Sequence, residues 1–233
     1  MMIYEFVYPT ITEGIIPTEM DLTNYKKAIH PECGKKVEIY KDIVVTPFYT
    51  EKFCDDLVNL AKFYNNKFEH FIKYKQKEVT NTSPWNTLFF SRISNLLFEN
   101  FCGHYKRYIT PILEKQFPAS RVDGWFSPFI IQYNKPGQVV HLHNDTSSFT
   151  MNVRLNTDFK GSELEFPRQG WSNKDVPKGW CFIWPSTITH PHQSKPLIKG
   201  TKYTLASWTH PVSWNPEDVG GSIYVKDIND IKT

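Results

Sequence analysis

The chain has 233 residues and a mass of 27.3 kDa, is 40% hydrophobic and 15% aromatic, and carries a formal net charge of +3 with a pI near 8.5. This is the length of one domain with enough apolar content for a sizeable core. The charge is too small for the concentrated basic face of a nucleic-acid binder, and the densest basic stretch (Lys73, Lys75, Lys77) is flanked by Glu69 and Glu78, as a solvated segment would be.

Residues 1–40 are weakly periodic and broken by Pro9, Pro17 and Pro31, and no positively charged start followed by an apolar run marks a signal peptide. Val37 to Val45 reads as a first strand. Thr50 is placed to cap a helix, because its hydroxyl can accept from a first-turn amide. Phe53, Leu57, Leu60, Ala61 and Tyr64 then recur at helical spacing. A second helical pattern runs from Ser91 to Lys115, with Ile93, Leu96, Leu97 and Phe101 as its stripe, and Pro111 should kink or divide it. Cys33, Cys54, Cys102 and Cys181 form no C-x-x-C, and Cys54 and Cys102 sit in apolar helical patterns where buried free thiols are expected.

After Gly124 the pattern becomes β-rich. Trp125–Tyr133, Val139–His143, Phe149–Leu155, Glu163–Phe166, Trp180–Trp184 and Thr201–Thr209 read as short strands, and Pro136-Gly137 fits the centre of a type II turn. The expected architecture is α+β, with helices first and a β-barrel or jelly roll after them.

His143-Asn144-Asp145, with His192 47 positions later (192 − 145) and Lys202 ten after that (202 − 192), is the most informative pattern in the barrel half. On a strand, residues i and i+2 share a face, so His143 and Asp145 can aim at one point. A distant histidine completes a 2-His-1-carboxylate facial triad, which leaves positions open on a non-haem Fe(II). The Lys202 cation is what the far end of a dicarboxylate co-substrate requires. Five histidines need sorting: His141, His143, His190, His192 and His210. By parity His141 shares the face of His143, so an H-x-H pair in a non-catalytic, cupin-like metal-binding barrel is open as well. His190 and His192 also share a parity, which leaves the choice of distal ligand between them open.

From about Leu22 to Pro211 the chain resembles the C-terminal oxygenase domain of procollagen lysyl hydroxylases, in the prolyl/lysyl hydroxylase branch of the 2-oxoglutarate oxygenases. The carrying segments are Asn24-Tyr25-Lys26-Lys27, Pro47-Phe48-Tyr49-Thr50, Phe53-Cys54-Asp55-Asp56-Leu57, and above all His143-Asn144-Asp145 with Phe149 to Asn156. Phe159-Lys160-Gly161, Gly179-Trp180, Thr189-His190-Pro191-His192 and Gly200-Thr201-Lys202-Tyr203 continue it in order.

The resemblance implies a double-stranded β-helix (jelly-roll) core with N-terminal flanking helices. The whole of 1–233 would be a single Fe(II)/2-oxoglutarate dioxygenase domain: lead-in strands and helical support over 1–123, a catalytic half over 124–211 and a C-terminal extension over 212–233. It implies Fe(II), 2-oxoglutarate and O₂, with ascorbate in support, and metal ligands His143, Asp145 and His192. His190 then packs nearby and His141 lies outside the triad. Lys202 would meet the C5 carboxylate of the co-substrate, with Tyr133 or Thr204 as hydroxyl donor. Thr150 and Asn152 would form the pocket wall, and Trp208 lies on the Lys202 face. Tyr133 is equally well read as a core tyrosine with a bonded hydroxyl.

The implied activity is hydroxylation of lysine in a peptide or protein, collagen-like in sequence. Lysyl hydroxylases carry arginine where Lys202 stands, and lysine there with Trp208 looks more like a prolyl 4-hydroxylase, the alternative acceptor. The animal proteins add secretory signals and glycosyltransferase modules. A standalone domain would suit a cytoplasmic or virus-encoded soluble protein. No nucleic-acid or membrane partner is expected, and the sequence leaves the oligomeric state open.

Overall fold

The structure, a computed structural model, describes residues 27–71, 86–120 and 124–211. The Lys73–Lys77 stretch, the Asn24–Lys26 part of the family pattern and the 212–233 extension lie outside the described residues. Among the described residues twelve strands and four α-helices follow one another. The segment before residue 124 contributes β1 (Glu38–Tyr40), β2 (Ile43–Pro47), α1 (Glu51–Phe71), β3 (Asn86–Phe89), α2 (Phe90–Ile93), α3 (Asn95–His104) and α4 (Thr110–Gln116). After it come β4 (Gly124–Tyr133), β5 (Phe149–Arg154), β6 (Phe159–Gly161), β7 (Leu164–Phe166), β8 (Trp171–Ser172), β9 (Trp180–Pro185), β10 (Gln193–Ser194), β11 (Leu197–Gly200) and β12 (Lys202–Pro211).

Seven strands form one antiparallel sheet in the order β1-β2-β9-β5-β12-β4-β3, and β10-β7-β8 and β11-β6 make smaller ones. Strand alternation assigns two opposite faces to the large sheet. Val44, Met151, Val153, Cys181, Ile183 and Leu205 join one buried cluster with Leu57 and Leu60 of α1 and Leu97 and Phe101 of α3. Their neighbours Ile43, Val45, Phe182 and Trp184 join a second cluster with Leu164, Phe166 and Val176. Helices therefore cover one face and the smaller strands the other. All four cysteines are buried and free.

Several local expectations meet the structure directly. The amide of Phe53 donates to the Thr50 hydroxyl at 3.3 Å, and Phe53, Leu57, Leu60, Ala61 and Tyr64 are all buried. At Pro136-Gly137 the amide of Gln138 donates to the Lys135 carbonyl at 3.1 Å, with Gly137 at φ +84°, as a type II turn requires.

Others differ. The expected strand over 37–45 is a hairpin, β1–β2, turning at Lys41 and Asp42 with φ of +48° and +69°. Such a two-residue turn normally advertises itself with Asn-Gly or Asp-Gly, and Lys-Asp carries no such signal. The long second helix is divided twice, at Ser94, whose extended backbone separates α2 from α3, and by a π-helical turn over Tyr105–Ile109 just before Pro111. Proline has no amide to offer the carbonyl four residues back, so the wider turn falls where the ladder would break. The expected strand Val139–His143 is irregular. Its pairing survives in part: Leu197 donates to Gln138 O at 3.0 Å, Ser194 to Val140 O at 2.9 Å, and Val140 to Ser194 Oγ at 2.7 Å.

Gly179 joins β9 to the entry of α1. Its carbonyl accepts from the amides of Phe48 and Tyr49 at 3.0 and 2.9 Å, its φ is +80°, and a Cβ there would stand 2.3 Å from the Tyr49 carbonyl oxygen. Gly179→Ala is expected to destabilise the protein by about 1–3 kcal/mol from backbone strain, and by more from the clash. Chemical denaturation would show this as a lower midpoint at unchanged slope.

Candidate metal centre

His143 and His192 face each other just outside the named strands, His192 immediately before β10. They form an isolated antiparallel bridge in which His143 N donates to His192 O at 3.0 Å and His192 N donates to His143 O at 2.9 Å. Both imidazoles are held by their Nδ1 atoms, His143 against the His141 carbonyl at 2.7 Å and His192 against the His190 carbonyl at 3.0 Å. With Nδ1 protonated to make these bonds, each Nε2 presents a lone pair. That is the usual way a protein fixes the tautomer and aim of a metal-binding histidine.

Asp145 stands between them. Its Oδ1 lies 3.4 Å from His143 Nε2 and its Oδ2 3.5 Å from His192 Nε2, and its side chain is 9% exposed. The three donor atoms all lie within 4.8 Å of one another, and this is the only set of that kind among the described residues. For ligand bonds of about 2.1 Å meeting near right angles, donors stand about 3 Å apart. The site therefore fits one ion on an open face with little adjustment.

The carboxylate is itself supported. Thr150, on β5, donates to Asp145 Oδ2 at 2.6 Å, while the Ser147 and Ser186 hydroxyls each lie 2.8 Å from Thr150 Oγ1. Burial works against the Asp145 carboxylate, but the bond from His143, the nearby His192 and the Thr150 hydroxyl outweigh it and hold its pKa below the usual value. For His143, burial is outweighed by the Asp145 carboxylate and the His141 carbonyl, which raise its pKa; for His192, burial prevails and lowers it. His192 is walled by Trp184 at 4.9 Å and Phe166 at 5.4 Å between ring centroids, which keeps one side of the site apolar.

The competing histidines fall elsewhere. His141 is exposed and offers only its carbonyl to His143. The His190 ring is buried between the Thr189 hydroxyl at 2.8 Å and the Lys41 carbonyl at 3.1 Å. The cupin-like pair His141/His143 is thus not assembled, and parity misled because the 139–143 segment is not a regular strand.

The remaining predicted residues line the face of the large sheet that looks toward the smaller strands. Register places Thr150 opposite Trp208, Asn152 opposite Ala206, and Lys202 opposite Tyr133. Thr204 is bonded to Asn152 Oδ1 and lies 3.0 Å from Val153 O, and the Trp208 ring packs at 5.0 Å from Phe129. Lys202 is 6% exposed, donates to Ser162 O at 2.6 Å and lies 4.8 Å from the centre of the Tyr133 ring. Burial, with repulsion from Arg154, pushes its ammonium down to about 7. Burial raises the Tyr133 phenol, whose hydroxyl is bonded to Ser194.

Sequence reasoning missed Ser147, Ser162 and Ser186. Isolated serines carry no spacing signal, although Gly161-Ser162, both at positive φ, marks a bend that brings the Ser162 carbonyl to Lys202. Thr150→Val removes the donor to Asp145 at nearly constant volume. It should weaken metal binding by about 10–100-fold while secondary structure is kept, as read by metal-binding calorimetry beside circular dichroism.

No protein-family model matches the chain. It is 31% identical over 201 residues to procollagen-lysine,2-oxoglutarate 5-dioxygenase 1 of Bos taurus, covering 81% of this chain and 26% of that protein. It is 28% identical over 179 residues to human procollagen-lysine,2-oxoglutarate 5-dioxygenase 2, covering 73% of this chain and 24% of that protein. The chain thus spans about a quarter of the length of the curated relatives it matches. Among solved structures, the viral collagen prolyl hydroxylase of Paramecium Bursaria Chlorella virus-1, in its 2OG complex, superposes with a TM-score of 0.51 at 17% identity, over 76% of this chain and 96% of that one. A Pseudomonas putida prolyl-4-hydroxylase gives 0.56 at 14% identity, over 73% and 93%. These likenesses show a shared jelly-roll fold.

Proposed function

We propose, from its homology to the procollagen-lysine 2-oxoglutarate 5-dioxygenases, that this chain is an Fe(II)- and 2-oxoglutarate-dependent peptidyl hydroxylase acting on lysine in collagen-like peptides. The observation that carries the reading is the convergence of His143 Nε2, Asp145 and His192 Nε2 on one point, with both Nδ1 atoms tied to backbone carbonyls. A zinc site of the closed structural kind would call for a fourth protein ligand, and the described residues offer three.

In this reading His143, Asp145 and His192 hold the metal, which with 2-oxoglutarate and O₂ supplies the oxidant for an unactivated C–H bond. The chain's own contribution is positioning and exclusion of water. Lys202 neutralises the C5 carboxylate from the far end of the sheet, and Tyr133 and Thr204 are the hydroxyls nearest to it in register. Thr150 orients Asp145, Asn152 lies beside Thr204 on the same wall, and Trp184 and Phe166 keep water from the His192 side. Trp208 extends the wall toward the substrate side. The helices before β4 serve as a backing layer, so that the chain works as one catalytic unit. No helix among the described residues is long and apolar enough to cross a membrane.

Proline is the second reading for the acceptor, favoured by lysine rather than arginine at position 202. Succinate release with lysine-only and proline-only collagen-like peptides, followed by mass spectrometry, separates the two. We expect one added oxygen on the lysine peptide. A gain confined to the proline peptide reverses the acceptor, and no peptide-coupled succinate with either removes the activity.

A further inference from the structure

A cavity of about 210 Å³ opens beside Lys202, lined among others by Arg154, Phe159, Ser162, Glu163 and Asn173. None of the three metal-site residues reaches it. At the ~30 Å³ that a water occupies in the liquid, it has room for a carboxylate with water around it. Two of its cations come from neighbouring strands of the same sheet face: Arg154 lies directly opposite Thr204, and Lys202 is two residues before Thr204, at the start of β12.

Arg154 is built in rather than left at the surface. Its Nη1 donates to the carbonyls of Lys174 and Val176 at 2.9 and 2.8 Å, and its guanidinium lies 5.5 Å from the Phe159 ring centre. Its Nε is buried with no acceptor. A buried donor without a partner is costly, and a guanidinium is a fork made for planar carboxylates. Arg154, Lys160, Lys174 and Lys202 line the cavity against a single lining carboxylate, Glu163, with Asp175 also acting on Arg154 from beside it.

We propose that Arg154 is a second cation of the co-substrate site and that, with Lys202, it holds the distal carboxylate of the 2-oxo diacid. The guanidinium and the Lys202 ammonium, which line the cavity together, share the two oxygens of that carboxylate. This rests on the co-substrate reading given above and assigns a specificity-determining residue to it. Lys202 alone would attract any anion as a point charge. Arg154 adds a fixed plane, so the pair selects a carboxylate in one orientation.

Calorimetric titration of the Mn(II)-loaded protein under anaerobic conditions tests this, with 2-oxoglutarate and with 2-oxobutyrate, which lacks the distal carboxylate. Arg154→Gln keeps an amide donor for the Lys174 and Val176 carbonyls and removes the charge. It should weaken 2-oxoglutarate about tenfold to a hundredfold and leave 2-oxobutyrate within about twofold, and Arg154→Lys should fall between wild type and Arg154→Gln. An equal loss for both acids, with a lower melting temperature, would make Arg154 a structural strut and overturn the proposal while leaving the co-substrate reading intact. Failure of the wild-type protein to bind 2-oxoglutarate at all would overturn both.

Discussion

Asp145→Ala lowers peptide-coupled succinate formation to the level of the metal-free protein and leaves the barrel folded. Asp145 is the one charged donor in the cluster, and its removal leaves two imidazoles as the remaining donors. Two such ligands are a poor match for a divalent ion that also prefers oxygen. The fold should survive because Asp145 belongs to neither buried apolar cluster, and Thr150 keeps Ser147 and Ser186 as partners. His192→Ala is expected to lose activity equally but to lower the melting temperature more. Its ring fills space against Trp184 and Phe166, and truncation leaves a void there. Metal content by mass spectrometry, circular dichroism and turnover, taken together, decide the matter: wild-type turnover in either variant would exclude these three residues as the metal ligands.

Lys202→Met is expected to separate stability from function. In the folded protein burial pushes the ammonium down to about 7, against 10.5 for a free lysine side chain. A lysine whose folded pKa lies below its unfolded value destabilises the protein. That penalty is complete below pH 7, where both states are charged, shrinks from pH 7 to 10.5, and is gone above it. At 1.36 kcal/mol per unit it is on the order of 5 kcal/mol. Methionine fills a similar volume without a charge, so the variant should melt higher than wild type at pH 6 and gain progressively less toward pH 10.5.

The same variant should lose the thermal stabilisation that 2-oxoglutarate gives the wild type, because the C5 carboxylate has lost its counter-charge. Above pH 7 the wild type should take up a proton when it binds 2-oxoglutarate, since the carboxylate restores the ammonium. Calorimetry at pH 8 in buffers of different ionisation enthalpy would reveal that uptake. A variant that melts lower at pH 6 would show that the Ser162 bond outweighs desolvation.

The chemistry-bearing part of the molecule was the more legible. H-x-D and the downstream histidine were legible as a motif, although an isolated bridge between His143 and His192, and not a regular strand through 143–145, brings them together. Alternation also put Lys202, Thr204, Ala206 and Trp208 on one face, and the register against β4 and β5 agrees with it. It failed at His141, where the backbone leaves the regular pleat and the preceding residue, Val140, donates its amide to the Ser194 side chain instead of to a ladder. The choice between His190 and His192 was beyond parity, since both rings are buried. It was made in space by which ring meets Asp145 and which meets the Lys41 carbonyl. The β1–β2 turn was invisible because Lys41-Asp42 carries none of the usual turn signal, and the π-helical turn because Pro111 announces an interruption without fixing its form or its exact place. Arg154 escaped notice for a related reason: a single arginine on a strand is ordinary until the fold shows what it faces.

The reciprocal amide bonds between His143 and His192 carry a consequence for how the protein handles its metal over time. Two of the three donors are clamped at a fixed separation by main chain alone. Uptake therefore needs no ordering of a loose segment, and its rate should be governed by how fast the aqueous ion sheds water. A molecule that has lost its iron to oxidation or to a chelator keeps a ready receptacle, so it can be reloaded in solution without passing through an unfolded state. Repeated rounds of stripping and refilling should return the same specific activity each time.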